Sequence, residues 1–139
     1  MSDEPLGELT IRINAMPADT NAYGDVFGGW VLAQMDSAGG IAAVHCCGGR
    51  AVTVAVHAMT FIRPVKVGDV LCVYTRLLKV GRTSMHIGIE CWARRFLSDV
   101  RDKVTEAEFV YVAVDDEGRP KTVTPKVWAS MDNPAGASC

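Results

Sequence analysis

The chain has 139 residues, 49% of them apolar, a net charge of −2 and five cysteines. That is the length of one domain with ample material for a core, which argues against disorder. The near-neutral balance supplies no global field for nucleic acid or an anionic membrane surface, so neither is expected as a partner.

Met1 to Gly7 is acidic and lacks an apolar stretch, so no signal peptide is expected. No apolar run approaches the roughly 20 residues of a membrane helix. The cysteines, Cys46, Cys47, Cys72, Cys91 and Cys139, are odd in number and form no C-x-x-C. They read as free thiols of a cytoplasmic protein, with no disulfide framework and no metal site.

Glu8 to Ala15 alternates, with Leu9, Ile11 and Ile13 on one side, and predicts a half-buried strand. Met16 to Asp25 is turn-forming. Phe27 to Cys47 predicts the one convincing helix, stopped at Gly48-Gly49. Ala51 to Ile62, Val70 to Val80, Thr83 to Phe96 and Val104 to Asp115 read as four long strands. Pro120 onward reads as a tail ending in a disordered DNPAGASC.

The short connections favour antiparallel pairing. One long helix and a five-stranded antiparallel sheet make an α+β layer, with the helix across one sheet face. Between Gly28 and Val44 the only polar side chains are Gln34, Asp36 and Ser37. A helix covered on one side alone would show a wide polar face. A second subunit is therefore expected as the other cover, approaching over Ala33, Ala38, Gly39, Gly40, Ala42 and Ala43.

Asp36 is the puzzle of that helix. Seven residues turn a helix by about 700°, so Gly29 and Asp36 share a face about 10 Å apart, with Gly28 nearly aligned. At the helix start the amides lack intrahelical partners and carry the positive end of the dipole. One face thus offers donors for a developing oxyanion and, further along, a carboxylate base, which suits acyl transfer to water. The plainer alternative, close packing at the glycines and a satisfied structural carboxylate, stays open on this pattern. A buried acid needs a partner or a function in either case.

The turn LKVGRTS offers Lys79, Gly81, Arg82, Thr83 and Ser84, a chemistry that suits a phosphate. Arg63 and Lys66 of FIRPVKVGD could line the same groove, and a routine hairpin with a solvated arginine is the alternative. Cys46 and Cys47 beside His45 suggest a thiol nucleophile only weakly, since neighbours on a helix point apart. His57 and His86 read as packed or edge residues. Asp115 to Gly118 lacks the spaced oxygens of a metal loop.

NAYGDVFGGWVLAQMD, VTVAVHAMTFIRPVKVGDV and LKVGRTS occur together in this order. Over about Ile11 to Thr122 the chain resembles the hotdog-fold acyl-CoA thioesterases of the bacterial YciA type. The resemblance implies one hotdog domain over 1–139, with a core of about 8–122 and a tail of about 123–139. It implies Asp36 as general base or nucleophile, and Gly28 and Gly29 as the helix N-terminus that polarises the thioester carbonyl. It implies Asn21 as a further site residue from the opposite subunit, and the LKVGRTS turn as a coenzyme A contact. It implies acyl-CoA as substrate, no separate cofactor or metal, and a homodimer with side-by-side sheets assembled into a hexamer. His57 departs from the family pattern, where an acidic residue is expected.

Two other functions fit the fold. A dehydratase would need a histidine beside the helix start, and none lies between Met1 and Val44. A non-catalytic acyl-CoA-binding or regulatory domain would not need the catalytic residue types that are present.

Overall fold

A computed structural model describes residues 4–124. Strand β1 (Glu8–Asn14) leads through a 3₁₀ turn (Pro17–Asp19) to helix α1 (Gly28–Cys47). Strands β2 (Ala51–Phe61), β3 (Val70–Val80), β4 (Ser84–Arg94) and β5 (Arg101–Ala113) follow. They form one antiparallel sheet in the order β1-β3-β4-β5-β2, and α1 packs across it against all five strands. The sheet is open, with β1 and β2 as its edges.

The expected elements are present, with boundaries shifted by up to three residues. β5 begins three residues earlier than the apolar pattern suggested. Its charged start, Arg101 to Lys103, pairs with Arg94, Ala93 and Trp92. Consecutive strands pair at β3–β4 and β4–β5, but β2 does not pair with β3. The segment between them is held instead by the loop before the helix. Val26 N donates to Val65 O at 2.9 Å, Asp25 bridges Lys66, and Val65 is buried. This short stretch crosses under the helix start and delivers β3 to the far side of the sheet.

Helix α1 ends as its glycines require. Gly48 takes the left-handed conformation, φ 69°, and its amide bonds Val44 O at 2.8 Å. Val31, Met35, Ala38, Gly39, Ala42, Ala43 and Cys46 face the sheet and are buried. The opposite side is apolar too, with Leu32, Ile41 and Val44 exposed at 38, 52 and 45%. Along β2, Val52, Val54, Val56 and Phe61 are also exposed. A single chain therefore leaves an apolar helix flank and an apolar edge strand uncovered.

Residues 120–123, expected in the tail, pack back onto the domain. The turn at Gly118 (φ 83°) reverses the chain, Val123 N bonds Arg82 O at 2.7 Å, and Val123 joins the core. The rest of the expected tail, 125–139, lies outside the described residues. Cys46, Cys47 and Cys91 are free thiols as expected. Cys72 is disulfide-bonded, against the expectation, because spacing along a chain says nothing of the distance between two thiols. Among the described residues no helix is long and apolar enough to cross a membrane.

Candidate active site

Asp36 lies on the flank of α1 that faces β2. Thr53 on β2 donates its hydroxyl to Asp36 Oδ1 at 2.6 Å. The Tyr111 hydroxyl on β5 lies 3.0 Å from the same oxygen and 2.9 Å from the Asp36 carbonyl. Among the described residues no donor reaches Oδ2. The carboxylate is half-buried, tied on one oxygen and open on the other. It is satisfied in part, so neither the structural nor the chemical reading of an acid in this helix is lost.

Gly28 and Gly29 open the same helix. A Cβ at Gly28 would stand 3.3 Å from the Phe61 ring, whereas one at Gly29 would meet nothing within 4 Å. Only the first of the two glycines relieves contact within the chain. Among the described residues no acceptor bonds either amide; Trp30 and Val31 donate to Phe27 O at 3.0 and 3.3 Å. Gly28 borders a cleft of about 270 Å³ with Phe61, Ile62 and Pro64. Phe61 lies at one end of β2 and Thr53 near the other, so the helix start and Asp36 both open toward this edge strand.

Asn21 organises the loop that leads into the helix. Its Oδ1 accepts the amides of Tyr23 at 2.9 Å and Asp25 at 3.2 Å, and its own amide bonds Asp25 O at 2.7 Å. Such side-chain turns are typical of asparagine. Within one chain these contacts are local, and Asn21 does not bond Asp36.

The turn between β3 and β4 forms as expected. Gly81 N bonds Ser84 O at 2.8 Å, and a Cβ at Gly81 would stand 2.5 Å from Ser84 Oγ. Thr83 O accepts Ala113 N, while Lys79 and Arg82 are exposed. Arg63, expected to line the same groove, lies elsewhere. It follows Phe61, which pairs with Thr105, while Ser84 pairs with Val112. Seven residues of β5 separate those rows, about 23 Å at 3.3 Å per residue. One chain therefore does not gather Arg63 with Lys79, Gly81, Arg82, Thr83 and Ser84, because the hairpin and the β2–β3 connection leave opposite ends of the sheet. Lys66 is engaged by Asp25 at the Arg63 end.

The weaker candidates separate from Asp36. His57 lies opposite Glu108 and lines an outer cleft with Arg76, Glu90 and Glu106. His86 Nδ1 meets Glu108 Oε2 at 2.5 Å. Cys46 is buried, and desolvation pushes its thiol up, which disfavours a nucleophile. The Asp115 carboxyl is held below its usual range by the amides of Arg119 and Glu117, which fold the turn. No group of three His, Cys, Asp or Glu suited to a metal occurs among the described residues.

Sequence reasoning did not find Thr53 or Tyr111. A tyrosine on the buried face of a strand needs a partner for its hydroxyl, and that was the available signal. A second was Gly39, which costs a helix about 1 kcal/mol relative to alanine and so marks a close approach. A Cβ there would stand 2.2 Å from the Tyr111 hydroxyl.

Residues 23–95 match the model of the thioesterase superfamily. The acyl-CoA thioester hydrolase YciA of Salmonella typhimurium is 54% identical over 124 residues, 87% of this chain and 93% of that protein. The crystal structure of a hexameric thioesterase from Yersinia pestis superposes with a TM-score of 0.84 at 51% identity, covering 86% of this chain and 98% of that one. A hexameric hotdog-fold thioesterase of Campylobacter jejuni gives a TM-score of 0.80 at 38% identity, over 85% of this chain and 91% of its own.

Proposed function

This chain belongs to the thioesterase superfamily and has its hotdog fold, and we propose that it hydrolyses acyl-CoA thioesters to a free acid and coenzyme A. The observation that carries the mechanism is the one-sided tethering of Asp36: Oδ1 accepts from Thr53 and Tyr111, and among the described residues no donor engages Oδ2. Asp36 acts on the thioester carbonyl either by taking a proton from the attacking water or by attacking through Oδ2. In both routes the C–S bond breaks and the thiolate leaves to be protonated; in the second, water then cleaves the Asp36–acyl anhydride, which releases the acid and restores the carboxylate. The amides of Gly28 and Gly29 stabilise the oxyanion, aided by the positive end of the helix dipole. No separate cofactor is needed, since coenzyme A is part of substrate and product.

The working unit is a dimer joined through β2. That strand is long, apolar and unpaired on one side, the kind of edge that recruits another strand. A two-fold that pairs two β2 strands antiparallel also covers the apolar flank of α1. It turns the Gly28 end of one subunit toward the 81–84 turn of the other. The loop of Asn21 then approaches Asp36 of the partner subunit, and Arg63 approaches the turn of Arg82, Thr83 and Ser84 across the interface. This crossing offers a common phosphate site that a single chain lacks. Three such dimers make the hexamer, as in the Yersinia pestis and Campylobacter jejuni thioesterases.

The competing reading is a non-catalytic acyl-CoA-binding domain. Purified protein is incubated with acyl-CoAs of several chain lengths and a thiol reagent. Catalytic release of coenzyme A is expected; tight binding without turnover would favour the binding domain and remove the enzyme.

A further inference from the structure

We infer that Tyr111 is a positioning residue for the reaction, holding the Asp36 carboxylate so that Oδ2 alone faces the substrate. The inference rests on the reading of Asp36 as the reacting acid. Its ground is the way three elements are shaped around one hydroxyl.

Tyr111 projects from β5 toward the helix, 1% exposed, with its ring stacked on Phe109. Its hydroxyl lies 3.0 Å from Asp36 Oδ1 and 2.9 Å from the Asp36 carbonyl, so it grips both the side chain and its own turn of helix. The helix is notched to admit it. At Gly39 an added Cβ would stand 2.2 Å from that hydroxyl and 2.8 Å from the ring carbon bearing it, with Ile89 Cδ1 also at 2.8 Å. A glycine in mid-helix is unfavourable, so the approach of the tyrosine is its compensation.

Chemistry fixes the direction of the bond. Burial, and then the neighbouring Asp36, push the phenol up from its ordinary value, so it stays protonated. It acts as the donor, its one proton shared between Asp36 Oδ1 and the Asp36 carbonyl oxygen. With Thr53 donating at 2.6 Å, Oδ1 has two donors and its lone pairs are engaged. The two oxygens of one carboxylate are thereby made unequal. Rotation of the Asp36 side chain, which would trade them, breaks both bonds at once. Tyr111 needs no contact with substrate for this role, only with the group that acts on it.

The test is a double-mutant cycle with Tyr111→Phe and Asp36→Asn, read as kcat and KM for acyl-CoA, with thermal melting of each protein. Tyr111→Phe removes one oxygen and keeps the ring. It should lower kcat about tenfold in the parent while KM stays within about twofold, the size of one lost hydrogen bond to a charged group. In the Asp36→Asn background the same change should do nothing further to the residual rate, because there is no carboxylate left to position. Gly39→Ala, which occupies the seat of the hydroxyl, should reproduce the loss in kcat. Parental kcat in a folded Tyr111→Phe or Gly39→Ala enzyme, with Asp36→Asn inactive, would overturn the positioning role alone. An equal loss from Tyr111→Phe in both backgrounds would do the same, marking a general packing effect. Near-normal turnover by Asp36→Asn would instead remove the acid reading on which the inference rests.

Discussion

Asp69 and Arg95 meet at 2.6 Å, and this pair locks the two connections at one end of the sheet together. Asp69 is 2% exposed. Its Oδ2 also accepts the amide of Lys66, and its Oδ1 that of Phe96. The aspartate of the VGD stretch therefore has a structural job, away from the chemistry of Asp36. Asp69→Ala leaves Arg95 with Asp102 and the Pro64 carbonyl and should cost about 3–5 kcal/mol, as for a buried pair stripped of one partner. Urea denaturation measures this. A loss below about 1 kcal/mol would show the pair to be ornamental.

Shared sites predict complementation. Asp36→Asn keeps the shape of the side chain and removes its basicity, and turnover should fall about a hundredfold or more. Asn21→Ala should also be nearly inactive. If the two residues meet across the interface, co-refolded mixed dimers should regain about one intact site in two, an expectation from the isologous geometry of a two-fold. Heterodimers verified by mass spectrometry that recover nothing would assign both residues to one chain's site. A stable active monomer in sedimentation would dispose of the interface altogether.

Arg82 should matter only for the nucleotide end of the substrate. Arg82→Ala should raise KM for acyl-CoA by roughly ten- to hundredfold, on the scale of about 1.5–3 kcal/mol for a hydrogen bond to a charged group. Acyl-pantetheine, which lacks the nucleotide phosphates, should scarcely notice the change. Equal losses on the two substrates would take Arg82 out of phosphate binding.

Alkali should weaken the fold. Desolvation, with a smaller effect from Glu90, raises the Cys91 thiol well above its ordinary 9.0. Burial and Asp36 likewise raise Tyr111 above 10.0. Both groups keep their protons in the native state where the unfolded chain releases them. Their contribution is therefore complete below the unfolded values and is lost as pH rises toward the folded ones. Stability should decline above about pH 9, by up to about 1.4 kcal/mol per pH unit for each group inside its window. Urea midpoints between about pH 8 and 10.5 give the slope, and Cys91→Ala should make its first part shallower. A flat profile would refute the assignment.

The sequence by itself determined the elements and their kind. Period-two alternation in Glu8 to Asn14, β-branched runs in β2 to β5 and the Gly48 stop are local signals, legible because each depends on residues close in the chain. The apolar helix also raised the expectation of a second cover, and in the single chain its outer flank, Leu32, Ile41 and Val44, is exposed. Asp36, Gly28 and Gly29 stood out for the same reason: they break a local pattern. Tertiary structure decided the rest. The transfer of β2 to the edge beside β5 turns on the Val26–Val65 and Asp25–Lys66 pairings, which join segments about 40 residues apart. The tethering of Asp36 by Thr53 and Tyr111 spans 17 and 75 residues. The separation of Arg63 from Arg82 follows from which end of the sheet each connection leaves. Such relations depend on strand order and register, and strand order is set by which apolar faces can be buried together. That is a property of the folded chain as a whole, and no window of its sequence contains it.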